Sequence, residues 1–139
     1  MDVEVRSHVP GASAETLPSV VLELAGGATT LRDLIRSAVT EQVRATRVDA
    51  ARCRAMLDRQ YLTADEVAAQ ARTGTVRLPA APVDPPDERA EVRRALRAFE
   101  AGAFVVFCAG KQVETLDEPV APRLGEPVVF LRLAPLVGG

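Results

Sequence analysis

Ser19-Val20-Val21-Leu22-Glu23-Leu24, followed after a glycine pair by Thr29-Thr30-Leu31-Arg32-Asp33-Leu34-Ile35, is the stretch on which the reading of this chain turns. The first run is apolar and rich in valine and is bounded by Gly26-Gly27, so it reads as a strand. Past the glycines the period changes. Leu31, Leu34, Ile35, Ala38, Val39 and Val43 recur at the three- and four-residue spacing of a single helix face. Thr29 or Thr30 supplies an N-cap, and Asp33 puts a negative charge in the first turn, where the helix dipole favours it. The spacing predicts a helix from Leu31 to Thr46. Upstream, Val3 and Val5 alternate with Asp2, Glu4 and Arg6, the pattern of a half-buried strand. His8-Val9-Pro10-Gly11 has turn chemistry, so the first two strands form an opening hairpin.

Downstream lies a long middle segment, 47–103. It opens with an arginine-rich helical stretch carrying Arg47, Arg52, Arg54 and Arg59. Thr63-Ala64-Asp65-Glu66 has the form of a capping box, with a short helix continuing through Val67 to Arg72. A connector with Pro79, Pro82, Pro85 and Pro86 follows. Asp84 to Ala101 reads as a helix with acids early, arginines late, a Val92, Leu96 and Phe99 stripe, and Gly102 as its stop. Phe104-Val105-Val106-Phe107-Cys108 is an apolar strand turned by Ala109-Gly110 into a short strand, Lys111-Gln112-Val113. Leu116 to Leu124 reads as loop. Pro127 to Leu133 is the last strand, followed by Ala134-Pro135-Leu136-Val137-Gly138-Gly139.

The bulk numbers are those of one ordinary globular domain spanning 1–139. Length is 139 residues, 47% of them hydrophobic and 26% charged, with a net charge of −2. That charge gives no reason to expect nucleic acid or a membrane surface as partner. The N-terminus lacks the basic and apolar regions of a signal peptide, and no apolar run approaches the ~20 residues of a membrane helix. Two distant cysteines, Cys53 and Cys108, have no metal-binding spacing, so a reduced, cytoplasmic setting is expected. Lys111 is the only lysine, so only it and the N-terminus offer an amine for acylation.

The element order is hairpin, helix, insert, strand, short strand, strand, tail. Apart from the insert this is the β-grasp order, an α+β fold. Three runs resemble ubiquitin: Val20 to Leu24 with Thr29-Thr30-Leu31; Phe107-Cys108-Ala109-Gly110-Lys111-Gln112-Val113-Glu114; and Phe130-Leu131-Arg132-Leu133 with Leu136-Val137-Gly138-Gly139. The resemblance covers about 2–46 and 104–139. It implies a ubiquitin-like β-grasp built from 1–46 and 104–139, with a mainly helical insertion, 47–103, between the central helix and the third strand. Within that family the chain is similar to the ubiquitin-like modifiers of bacterial conjugation operons.

The resemblance implies a protein modifier and not an enzyme. It needs no cofactor of its own. Its partners would be an adenylating (activating) enzyme, a conjugating enzyme, a processing or deconjugating peptidase, and target proteins. Gly138 and Gly139 would be the conjugation site, because glycines thread a narrow cleft at any φ and ψ it imposes. Pro135, Leu136 and Val137 would be gripped by the enzymes. The alternative is a plain terminus without a role. Ubiquitin's tail arginines are replaced here by Pro135 and Val137, and the Pro-x-x-Gly-Gly ending also resembles the β-grasp sulfur carriers. A sulfur carrier with a C-terminal thiocarboxylate, and a non-conjugated assembly module, are therefore the alternative functions.

Lys111 is a candidate chain acceptor, against the plainer reading of an exposed turn lysine. Val105 to Cys108 and Val128 to Leu131 do not alternate, so both sheet faces seek cover. Phe107 and Phe130 are candidates for a partner or self-association face that would make a homo-oligomer, against packing beneath the insert. His8 is the sole histidine and excludes a multi-histidine metal site. Cys108 reads as a core residue, and the arginines from Arg44 to Arg59 as a solvated helix face.

Overall fold

The computed structural model of the protein describes residues 1–11, 15–25, 29–73 and 85–133, with the backbone alone for 70–73. Among these the elements are β1 (Asp2–His8), β2 (Val20–Glu23), β3 (Thr29–Thr30), α1 (Leu31–Thr46), α2 (Ala50–Tyr61), α3 (Ala64–Thr73), α4 (Glu88–Glu100), β4 (Phe104–Cys108), β5 (Lys111–Val113), β6 (Pro119–Val120) and β7 (Val128–Arg132). The fold is α+β: a five-stranded mixed sheet packed against four helices. Strand order is β2-β1-β7-β4-β5, with β3 and β6 forming a separate two-stranded pair.

Register fixes which residues face the helices. β1 pairs antiparallel with β2 (Val3 opposite Leu22) and parallel with β7 (Val5 opposite Val128). β7 pairs antiparallel with β4, which sets Phe130 opposite Val106 and Val129 opposite Phe107. Because side chains alternate faces along a strand, Val3, Val5, Leu22, Val106, Val128 and Phe130 share the inner face, and all are buried.

Each helix begins where the sequence supplies a cap. The Thr30 hydroxyl accepts from Asp33 N, Asp49 from Arg52 N, and Asp87 from Ala90 N. Thr63 and Glu66 form the reciprocal capping box ahead of α3. α4 starts at Glu88 and not in the expected Asp84 region; residue 84 lies outside the described residues. Prolines disfavour helical geometry in the residue before them, so Pro85-Pro86 hold the chain extended until Asp87 caps it. α4 ends as its glycine requires. Gly102 has φ +77°, Gly102 N donates to Phe99 O, and Ala103 N donates to Ala98 O, which is a Schellman closure. The short strand β6 falls inside the expected loop Leu116 to Leu124, where it pairs with Thr29-Thr30.

The insert packs into the common core. Cys53, Met56, Leu57 and Tyr61 of α2 and Val92, Ala95 and Ala98 of α4 belong to the same buried cluster as Val5, Leu34 and Phe130. Tyr61 meets Phe104 edge-on at 5.3 Å between ring centroids. Its hydroxyl donates to Gln42 Oε1 at 2.6 Å, and Gln42 Nε2 donates to Ser7 Oγ at 2.9 Å, so one buried polar chain ties α2, α1 and β1. Burial pushes the Tyr61 phenol well above its ordinary range. The expected solvated arginine face is present, with Arg44, Arg47 and Arg52 exposed, and it is also paired: Arg44 and Arg47 meet Glu88, Arg52 meets Glu15, and the partly buried Arg54 meets Glu91. No helix among the described residues is long and apolar enough to cross a membrane. The expected connector prolines Pro79 and Pro82 lie outside the described residues.

Candidate functional site

The chain leaves the sheet from its middle. β7 lies between β1 and β4, and just past its end Leu133 N donates to Ala103 O at 3.1 Å. This bond joins the exit of β7 to the corner closed by Gly102, so the departure point of the tail is set by backbone geometry. Pro135, Leu136, Val137, Gly138 and Gly139 lie outside the described residues.

Arg132, one residue before that exit, is a site the sequence did not advertise. A basic residue on a strand reads as solvent-facing, yet Arg132 pairs with Phe104 on the inner face and is buried. Its guanidinium donates to Gln60 O at 3.3 Å, and Gln60 Nε2 donates to Phe130 O at 3.1 Å. Gln60 thus bridges the end of α2 to β7 from both its backbone and its side chain. Burial, and next the charge of Arg94, lower the Arg132 pKa from its ordinary value.

The outer face of the sheet carries Val105, Phe107, Val129 and Leu131, outside the core cluster. Phe107 is 37% exposed and Leu133, beyond the strand, 44%. Register also places Arg6 beside Val129 and His8 beside Leu131, so the apolar patch has a polar flank. Phe130 is not part of it. Its ring is fully buried and packs on Phe104 at 5.5 Å. Phe107 and Phe130 therefore sit on opposite faces, and the expected shared face keeps Phe107 with Val105, Val129 and Leu131 in place of Phe130. Nothing in the run Val128 to Leu131 distinguishes its two faces; pairing with β4 decides them.

Lys111 is exposed on the first position of β5, beside the turn. Ala109 at φ +51° and Gly110 at φ +78° make the two-residue connection between β4 and β5, the paired left-handed geometry of a type I′ turn. Lys111 lines an open cavity of about 360 Å³ with Cys108, Glu118 and Arg123. Burial, with a smaller push from Glu126, raises the Cys108 thiol pKa, which disfavours the thiolate and makes it a poor nucleophile. Cys53 is fully buried against Thr46 Oγ1. Among the described residues no group of His, Cys, Asp and Glu is arranged to hold a metal ion.

No protein family, curated protein or solved structure matches this chain.

Proposed function

We propose that the protein is a ubiquitin-like modifier of β-grasp type, carrying a helical insertion and acting as an acyl donor through Gly139. The observation that carries this reading is the central parallel pair of β1 and β7, which sends the chain out of mid-sheet with Gly138-Gly139 a few residues beyond. Glycines have no side chains, which suits Gly138-Gly139 to a narrow adenylation cleft. The chemistry balances simply. The Gly139 carboxylate attacks the α-phosphate of ATP and releases pyrophosphate. A cysteine thiolate of the activating enzyme then displaces AMP. A target amine finally displaces the thiol to form an amide. Conjugating enzyme and peptidase follow as partners of the same tail.

Two further readings rest on particular observations. The Pro135-x-x-Gly138-Gly139 pattern favours a sulfur carrier, and the outer-face patch of exposed Phe107 with half-buried Val105, Val129 and Leu131 favours an assembly module. One experiment separates the three. The full chain and a Gly138-Gly139 deletion are incubated with ATP, sulfide as sulfur donor, and the adenylating enzyme encoded nearest the gene. A thiol-sensitive adduct with that enzyme, absent in the deletion, with stable amide adducts to other proteins, supports the modifier. A sulfur-for-oxygen mass increase on the protein supports the carrier. No adduct with either chain overturns both and leaves the assembly module.

A further inference from the structure

The arginines whose side chains fall among the described residues divide in two. Those of α1 and α2 meet a carboxylate or a carbonyl, as do Arg6, Arg94, Arg123 and Arg132. Arg89, Arg93 and Arg97 have no ion pair or hydrogen-bond partner among the described residues. All three are exposed and fall four residues apart on α4, so they form one row with a rise of about 6 Å between neighbours. Charge that a fold does not neutralise internally is charge that costs no desolvation of a native pair when a ligand arrives.

The row borders a groove. α1 and α4 run antiparallel, as Arg44 and Arg47 near the C-terminal end of α1 meet Glu88 at the start of α4. Between the helices lies a trough of about 350 Å³ with Val92 and Leu96 as its floor, Arg36 and Thr40 on the α1 wall, and Arg89 and Arg93 on the α4 wall. Glu88 also reaches it, but its carboxylate is already held by Arg44 at 3.0 Å and Arg47 at 2.6 Å.

We infer that the α1–α4 groove binds an acidic amphipathic helix of a partner protein. The partner's apolar stripe would rest on Val92 and Leu96, and its carboxylates, spaced by four residues, would pair with Arg89, Arg93 and Arg97. The apolar floor argues for a peptide over a nucleic acid. The groove has no aromatic side chain on which a base could stack, and Asp33 beside Arg36 and Glu41 beside Arg44 stand near a phosphate path. This surface depends on α4, which belongs to the insert, so it assigns the insert a recognition role that acyl chemistry does not need. It does not rest on the proposed role of the tail.

The test is fluorescence anisotropy with the full chain and a labelled, side-chain-stapled helix matched in length to the 13 residues of α4. The helix carries leucines on one stripe and glutamates at four-residue spacing beside it. Saturable binding is expected, weakened by salt, reduced at least tenfold in the Arg89→Glu/Arg93→Glu double variant, and unchanged by deleting Gly138-Gly139. Circular dichroism checks that the double variant keeps the wild-type fold. Arg89→Gln/Arg93→Gln, which adds no repulsion, should lie between the two. Three results overturn the inference: equal binding by the reversed variant, equal binding by a helix whose leucines are alanine, or tighter binding by a single-stranded oligonucleotide of the same charge.

Discussion

Ala109 holds φ +51° ahead of Gly110 in the β4–β5 turn, a region where a Cβ is crowded against the following carbonyl. Asparagine tolerates that region and is the favoured first residue of a type I′ turn. Ala109→Asn should stabilise the protein by about 0.5–1 kcal/mol, read as a higher urea midpoint at unchanged slope. Tyr61 lies at the other extreme. Tyr61→Phe keeps the ring but leaves Gln42 Oε1 buried without its donor, and should cost about 1–3 kcal/mol in the same measurement. Asp117 is an exposed contributor. Its hydrogen bond from Arg32, and next the Arg32 charge, hold its pKa below the usual carboxylate value. A lowered folded-state pKa gives stability present above the unfolded value and lost as pH falls through the folded one. Asp117→Asn should therefore be less stable than wild type at neutral pH, and the difference should close at pH values below the lowered pKa. A gap that persists in acid would rule this out.

At the scale of elements, the insert is held by a shared ionic cluster. Glu91 of α4, almost buried, accepts from Arg54 of α2 at 2.6 Å and from Arg94 at 3.2 Å, while Arg94 also reaches Asp58 at 2.7 Å and Glu66 at 3.4 Å. Three helices meet in this one network. Glu91→Ala removes one shared anion while Arg54 and Arg94 keep Asp58, and should cost about 1–3 kcal/mol, with the loss visible as earlier thermal unfolding. Part of this architecture could be read from the residues. α1 follows from its stripe and its Thr30 cap, and α3 from Thr63 and Glu66, because capping and periodicity are local. The solvated face of Arg44, Arg47 and Arg52 was legible too, whereas the pairing of partly buried Arg54 with Glu91 joins residues distant in the chain and was not. β6 was hidden by Pro119, which suits an edge pair but argues against a strand. Phe107 and Phe130 failed to separate for a related reason. A continuous apolar run carries no mark of which face is inward, and only the register against Val113 and Val106 supplies it. The exit from β7 was legible as the end of a strand, whereas its bond to Ala103 was not.

For the whole molecule, the core belongs jointly to the sheet, α1 and the insert. Tyr61 packs against Phe104, which also touches Phe99 and Phe130. Replacing 47–103 with a flexible glycine-serine linker should therefore abolish cooperative unfolding and near-ultraviolet circular dichroism, because the inner face of β4 and β7 loses its cover. A sigmoidal urea transition in that shortened chain would refute this account. The position of β7 has one more consequence, in the time order of synthesis. β1 and β4 have no ladder between them except through β7, and β7 is the last of the described strands to leave the ribosome. Until it emerges the nascent chain holds two unjoined half-sheets, with Val5 on one and Val106 on the other waiting for the strand that seals them. Folding thus completes only after translation has reached the segment next to the tail. A chain stopped short of Val128 would be left with open strand edges and bare apolar surface, the marks by which chaperones and proteases sort unfinished proteins.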